Sequence, residues 1–265
     1  MAEFNTPLMN AKDTSSFQAN QKFITDKEET WSYPMEKDGW ILDHNSIRAE
    51  VLEFEAVLTH ISGRTLKDWE KEGMKVWWKA HEERIHRHHK NEDDIMNPFL
   101  RTRIKYPEKL KADYKGIKQI MDKLKTAFQG FSDVNNIQPL WSEYKEILFP
   151  HLKEAEQVAL PLIRDYFEPK KINRIVEKMI QSMSKLELGS FFHHTDTGSK
   201  HNNNNLEFIK QEGIPFFVSH IDFKKSRTLY RKEIESVIES LLRGTKVVCT
   251  HKAELIEVKK LNISM

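Results

Sequence analysis

Apolar residues recur every three or four positions through most of the chain, which is the spacing of one face of an α-helix. The pattern predicts four long helices, over about 37–61, 65–97, 108–128 and 137–167. Shorter helical runs follow over about 171–188, 206–211 and 226–242. Gly63, Gly130 and Gly244 each lie two residues after a predicted helix end, a region where glycine is favoured. We therefore expect an all-α protein.

The lengths of the connections suggest how these helices are arranged. Four long helices with short loops predict an up-down four-helix bundle, which we place at residues 36–168. Residues 1–35 are polar and are expected to form a loose arm, and 169–244 to form a C-terminal helical extension packed on the bundle. Residues 245–265 are expected to be a short tail. Residues 193–205 contain three histidines and four consecutive asparagines, and are expected to be a loop without fixed geometry.

Charge and composition exclude several classes of function. The 42 basic and 40 acidic residues nearly balance, so net charge gives no reason to expect nucleic acid or a membrane surface as a partner. No apolar run approaches the roughly 20 residues of a membrane span. The one cysteine, Cys249, excludes an internal disulfide and fits a reducing compartment. We expect a soluble, cytoplasmic protein, whose oligomeric state the sequence does not give.

Polar residues on the core-facing stripes are the candidate chemistry. His44, His88 and His151 each lie on such a stripe, and Glu92 and Glu156 lie near two of them. A single histidine there is more often a hydrogen-bonded core residue than a ligand. Three histidines and two carboxylates on helices that face each other favour a metal site in the bundle core.

Other histidines of the second helix fit this interpretation less well. His86 and His89 fall off the apolar stripe, so we expect them on a solvated basic face. His81 lies two turns before His88, and is expected either beside the site or at the surface. Imidazole and carboxylate ligands without a thiolate suit iron best, with manganese or zinc as competitors.

Three motifs resemble the hemerythrin-like (HHE cation-binding) domains. They are Asp43-His-Asn-Ser-Ile-Arg48, then His88-x-x-x-Glu92 followed by Asn97-Pro98, then His151-x-x-x-x-Glu156 followed by Pro161. The resemblance covers about residues 36–168, and more loosely the extension.

The resemblance implies a non-haem di-iron centre inside a left-handed four-helix bundle. Carried over, His44 and His88 would bind one iron, His151 would bind the other, and Glu92 and Glu156 would bridge the two. Family members use the centre for binding dioxygen, for sensing oxygen or iron, for nitric oxide or peroxide chemistry, or for handling iron.

The sequence departs from the family pattern in the third helix, where Tyr114 stands at the position of an expected histidine. Three interpretations stay open. Tyr114 binds ferric iron as a phenolate; or the second position is weak and one metal is held tightly; or the site is a relic and Tyr114 packs in the core. Asp113 is an alternative carboxylate one residue off the stripe.

Three functions follow from these interpretations. The first is an iron-binding protein that binds or senses dioxygen or another small diatomic ligand, or holds iron. The second is an iron-dependent oxidase or peroxidase-like enzyme, which needs a substrate channel. The third is a metal-free helical interaction module. No obvious general acid or base accompanies the motifs, so an elaborate reaction is not implied.

Overall fold

The computed structural model describes residues 31–105, 108–130, 133–197, 204–214 and 222–246. These residues contain helices and no β-strand. None of their helices is both long and apolar enough to cross a membrane. The α-helices are α1 (Gly39–Ile61), α2 (Asp68–Asn91), α3 (Asn97–Leu100), α4 (Glu108–Gln129), α5 (Gln138–Glu154), α6 (Leu160–Tyr166), α7 (Pro169–Ser182), α8 (Lys185–Thr197), α9 (Asn204–Gln211), α10 (Lys224–Tyr230) and α11 (Ser236–Arg243). The expected fold class, all-α, is confirmed for this part of the chain.

Short π-helical segments join several of these helices into longer ones. Glu92–Met96 connects α2 to α3, Ala155–Ala159 connects α5 to α6, and Arg231–Glu235 connects α10 to α11. The first two end just before a proline, at Pro98 and Pro161. A proline lacks the backbone N–H, and its ring clashes with the carbonyl four residues earlier. The wider π turn relieves this conflict, so the helix continues.

The prediction that the second helix ends before Pro98 is therefore wrong. The backbone N–H of Asn97 donates to the carbonyl of Glu92, five residues back, and the helix runs on to Leu100. The predicted single helix over 171–188 is likewise two helices, since the chain is extended at Met183 between α7 and α8.

The core consists of separate clusters of apolar side chains. The largest is built around an aromatic stack in which the rings of Phe54 and Trp77 lie 3.7 Å apart, and it includes Ile85 and Leu152. A second cluster contains Met96, which follows Glu92 in the chain, and Ala155, which follows His151. His88, Glu92 and His151 therefore lie between the two clusters, where the fold surrounds them with apolar groups.

The C-terminal helices pack against the bundle through α8, which contacts both α1 and α10. Gly189 makes this approach possible. A Cβ atom there would collide with the backbone oxygen of Ser226 and lie 2.7 Å from Cβ of Tyr230. His193 and His194 are buried in α8, which continues to Thr197, and α9 begins at Asn204. The expectation of a loop over 193–205 is therefore wrong at 193–197 and at 204–205. Residues 198–203, the apolar segment 215–218 and the tail from Val247 lie outside the described residues.

The start of the described chain is attached to α6. The indole N–H of Trp31 donates to the carbonyl oxygen of Arg164 at 3.0 Å. The guanidinium of Arg164 lies over the rings of Trp31 and Tyr33, with its carbon 4.8 and 5.3 Å from their centroids. The end of the N-terminal arm is thus held against the body, while residues 1–30 lie outside the described residues.

Candidate metal centre

Two groups of metal-ligating side chains meet inside the bundle. The first consists of His44 from α1 with His88 and Glu92 from the second long helix. One nitrogen or oxygen atom from each lies within 4.8 Å of the others, and all three residues are buried. These three are among the residues expected from the sequence to bind metal, and the structure brings them together.

The second group consists of His89, Glu92 and His151, again with ligand atoms within 4.8 Å of one another. The Nε2 atoms of His89 and His151 lie 3.3 Å apart. Glu92 belongs to both groups. It lies four residues after His88 and three after His89, and both spacings bring side chains together on a helix surface. This carboxylate therefore lies between the two groups of possible ligands.

His89 contradicts the expectation of a solvated face, because it is only 2% exposed. Adjacent residues of a helix point about 100° apart. His88 faces α1, while His89 faces α4 and α5, where the Tyr114 ring stacks on it with a centroid distance of 4.1 Å. His86 fits the expectation better, since its side chain is 37% exposed. The spacing of three residues from His89 to Glu92 was the sequence signal that would have found this site.

Tyr114 stacks on the ring of His89. Its hydroxyl lies 3.3 Å from Nδ1 of His86, and its ring is half-buried. Burial raises the pKa of the phenol, and the charges of Asp93 and Glu92 raise it further. The phenol therefore favours its protonated form here, stacked on the buried ring of His89.

Glu156 lies beside the first group and is absent from the second. Its Oε1 atom accepts hydrogen bonds from His44 Nδ1 at 2.9 Å and from Arg48 at 2.7 Å. A π-helical segment begins at Ala155, so the residues after His151 point in directions different from those of a regular α-helix, and Glu156 points toward His44. The expected bridging role of Glu156 stays a prediction.

Hydrogen bonds orient the imidazole rings toward the centre. His88 Nδ1 donates to Asp43 at 2.9 Å, and His89 Nδ1 donates to the carbonyl oxygen of Ile85 at 2.9 Å. Because both partners only accept, the lone pair of each ring is on Nε2. A carboxylate or carbonyl behind a ligating histidine is the usual way of fixing ring and tautomer.

One observation tests whether a metal fits these residues. His88 Nε2 is buried, lies 3.5 Å from Glu92 Oε1, and has no hydrogen-bond partner among the described residues. A buried polar atom without a partner costs about 1–3 kcal/mol, which a metal ion would offset. His44 Nε2, by contrast, accepts a hydrogen bond from Trp40 Nε1 at 2.7 Å. An ion at the first group would compete with that indole for the lone pair.

Burial also keeps most of these histidines neutral. It lowers the pKa of His44 to about 4 and of His151 to about 3, and it holds the pKa of His89 well below the usual value. Burial opposes protonation of His88 too, but the carboxylates of Glu92 and Asp43 outweigh it and raise its pKa. Neutral imidazole is the form that binds metal.

A buried polar network lies behind the first group. The guanidinium of Arg84 bonds to the carboxylate of Glu50, and Ser190 of α8 lies 2.6 Å from Arg84 and 2.9 Å from Glu50. Arg84 also lies 3.6 Å from Asp43, the partner of His88. The network thus connects α1, α2 and the C-terminal extension behind the centre.

His81 belongs to this network and is fully buried. Its Nε2 lies 2.9 Å from the hydroxyl of Tyr144, and its Nδ1 lies 3.2 Å from Glu50. Of the two positions expected for His81, the surface is therefore excluded.

The geometry agrees with a comparison against family models. Residues 37–163 match the model of the hemerythrin HHE cation binding domain. This part of the chain belongs to the hemerythrin HHE family. No curated protein and no solved structure matches the chain. The match covers the motifs around His44, His88 and His151, and it supports metal binding by the domain without specifying its ligand.

A third group of possible ligands, Glu53 with His193 and His194, extends beyond the HHE domain into α8. His194 is already engaged by the protein. Its Nδ1 lies 3.0 Å from the carbonyl oxygen of Ser190, and its Nε2 lies 3.2 Å from Glu53. These contacts account for the burial of His194 at the junction of α1 and α8 without an ion.

Proposed function

We propose that the HHE domain is a non-haem iron protein with two metal positions that share Glu92, held in an up-down four-helix bundle. His44 and His88 would hold the first ion, and His89 and His151 the second. The observation that supports this most is the double group of buried ligands around one carboxylate. Manganese or zinc would be bound by the same residue types, with iron preferred by the family.

The residues around the centre determine what it can do. Asp43 holds His88 in the tautomer that presents Nε2, and the apolar clusters on both sides exclude water from the ligands. When present, iron supplies a position at which dioxygen or another small diatomic molecule binds. We propose binding or sensing of such a molecule as the primary function, with iron handling as a variant of it.

The oxidase or peroxidase-like function is the second candidate, and one observation favours it. A largely apolar cavity reaches His88 and Glu92 from the side of the C-terminal extension. An enzyme acting on an organic molecule needs such access, whereas a carrier of a diatomic ligand does not. A metal-free interaction module is the outcome if no metal binds.

The test is the metal content and visible spectrum of aerobically purified protein, before and after iron reconstitution. We expect bound iron and a visible band that changes when dioxygen is removed. His88→Ala and Glu92→Ala should lose most of the metal, while the exposed His60 provides the matched control His60→Ala. Full metal content in both site variants would contradict the assignment. Turnover of a reductant with oxygen or peroxide would favour the enzyme.

A further inference from the structure

A cavity lies between the HHE domain and the C-terminal extension, lined by residues from α1, α2 and α6 on one side and α7, α8 and the α9 region on the other. About 90 Å³ of it is open to the centres of water-sized molecules. One water needs about 10–15 Å³ by this measure, so the space corresponds to roughly six to nine waters. A ligand of about that many non-hydrogen atoms fits.

The walls are mainly apolar and partly adaptable. They include Leu160, Ile172, Leu188 and Phe191, together with the flexible side chain of Met179. Apolar cavities of this kind exclude water and take up apolar molecules. The body of the ligand is therefore hydrocarbon.

Two carboxyl groups, one on Asp38 just before α1 and one on Glu212 just after α9, give the cavity one polar end. Asp38 is 7% exposed, and Glu212 follows α9. Asp38 Oδ2 and Glu212 Oε2 are both buried, and neither has a hydrogen-bond partner among the described residues. Gly39 allows their approach, since a Cβ atom there would lie 3.0 Å from Glu212 Oε1.

Burial and the charge of Asp38 raise the pKa of Glu212 to about 8. Above that pH both carboxyl groups are ionised, and this end of the cavity then favours a cation. The nearest basic group is Arg164, whose Nη1 lies 3.7 Å from Asp38 Oδ2 and accounts for one of the two carboxylates. Elsewhere in the lining, charged groups already face each other. Arg87 lies 3.6 Å from Glu187, and Arg84 is engaged in the network behind His88.

We propose that this cavity binds a short primary aliphatic amine. Its ammonium group lies at Asp38 and Glu212, and its chain runs along α1 toward His88. The five residues from Asp38 to Asp43 rise about 7.5 Å along the helix, which a six-carbon chain spans. Binding of the amine does not require metal. The further statement that the hydrocarbon end of the amine lies next to an iron ion rests on the proposed function.

Hexylamine, hexanol and hexanoate serve as probes of equal length. Their affinities are measured by isothermal titration calorimetry on the full chain at pH 9, where Glu212 is ionised and the amine is still protonated, with and without reconstituted iron. We expect hexylamine to bind about tenfold or more tighter than hexanol, since a hydrogen bond between two charged groups is stronger than one to a hydroxyl. Hexanoate should be the weakest because it meets carboxyl groups.

Substitutions in and near the cavity test which residues contact the amine. Glu212→Gln should weaken hexylamine about tenfold and leave hexanol within about twofold. Glu36→Gln, at an exposed glutamate just before Asp38, should change neither. Val176→Phe, within the lining, should weaken both ligands and so separate cavity binding from adsorption at an acidic surface. Thermal melting confirms that each variant is folded.

The outcomes separate this proposal from the function of the centre. Equal affinities of the three probes, unchanged hexylamine binding in folded Glu212→Gln, or no binding of any probe would overturn it. Preferential amine binding in a protein that takes up no iron would support the cavity proposal and contradict the metal function. Iron uptake without amine binding would support the metal function and contradict the cavity proposal.

Discussion

The Arg84–Glu50 pair offers a quantitative test of how the centre is supported. Arg84 is 3% exposed and Glu50 2%, so both charges lie away from water. The charge of Arg84 holds the pKa of Glu50 far below its usual range against the opposing effect of burial. Arg84→Met removes that charge and leaves the carboxylate buried with His81 and Ser190 as its neighbours.

Breaking a buried pair in this way costs about 3–5 kcal/mol, because one charge is left uncompensated. Removing both partners avoids that cost. We therefore expect the double variant Arg84→Met with Glu50→Leu to be more stable than Arg84→Met alone, by on the order of 2 kcal/mol.

The assay is urea unfolding at pH 7, followed by the fluorescence of the buried tryptophans, for both single variants and the double variant. Unchanged m-values would show that the denatured state is comparable in all of them. Additive losses, or a double variant less stable than either single one, would refute the view that the uncompensated charge sets the cost.

Three further predictions concern other parts of the fold. Asp43→Asn should lower metal affinity about 10–100-fold, since Asp43 orients His88; unchanged affinity in metal titrations would contradict this. Gly189→Ala should lower the free energy of unfolding by about 1–3 kcal/mol through crowding. Its control Gly116→Ala, where a Cβ meets nothing closer than 3.9 Å, should be neutral or stabilising by up to about 1 kcal/mol; equal effects in urea unfolding would refute the crowding argument. Burial and the charge of Asp38 raise the pKa of Glu212 to about 8, so the folded state holds a proton that the unfolded state releases above about pH 5. Stability should therefore fall by at most about 1.4 kcal/mol per pH unit toward pH 8, and Glu212→Gln should remove that slope; an unchanged slope would exclude Glu212 as its source.

Much of the fold follows from the sequence because helix periodicity is a local property. The stripes predicted the long helices, and His44, His88 and Glu92 were recognised as polar residues on them. The continuation past Pro98 does not follow from the pattern, because a proline normally ends a helix, whereas here a π turn precedes it and the helix continues.

Long-range packing explains what the sequence did not give. His89 was assigned to a solvated face because a single stripe was assumed, whereas α2 contacts different helices on two sides. The burial of Arg84 with Glu50 follows from tertiary packing, since such charges lie mostly at the surface. His193 and His194 are buried because α8 folds back onto α1.

The most direct test of the two-position centre is the iron content of His89→Ala beside that of its neighbour variant His86→Ala. We expect about two irons per chain in the unmodified protein, as in di-iron helical bundles. His86→Ala should keep that content, because His86 is half-exposed and belongs to neither ligand group. His89→Ala should fall to about one, with His44, His88 and Glu92 still in place. Full iron content in His89→Ala would contradict the second metal position.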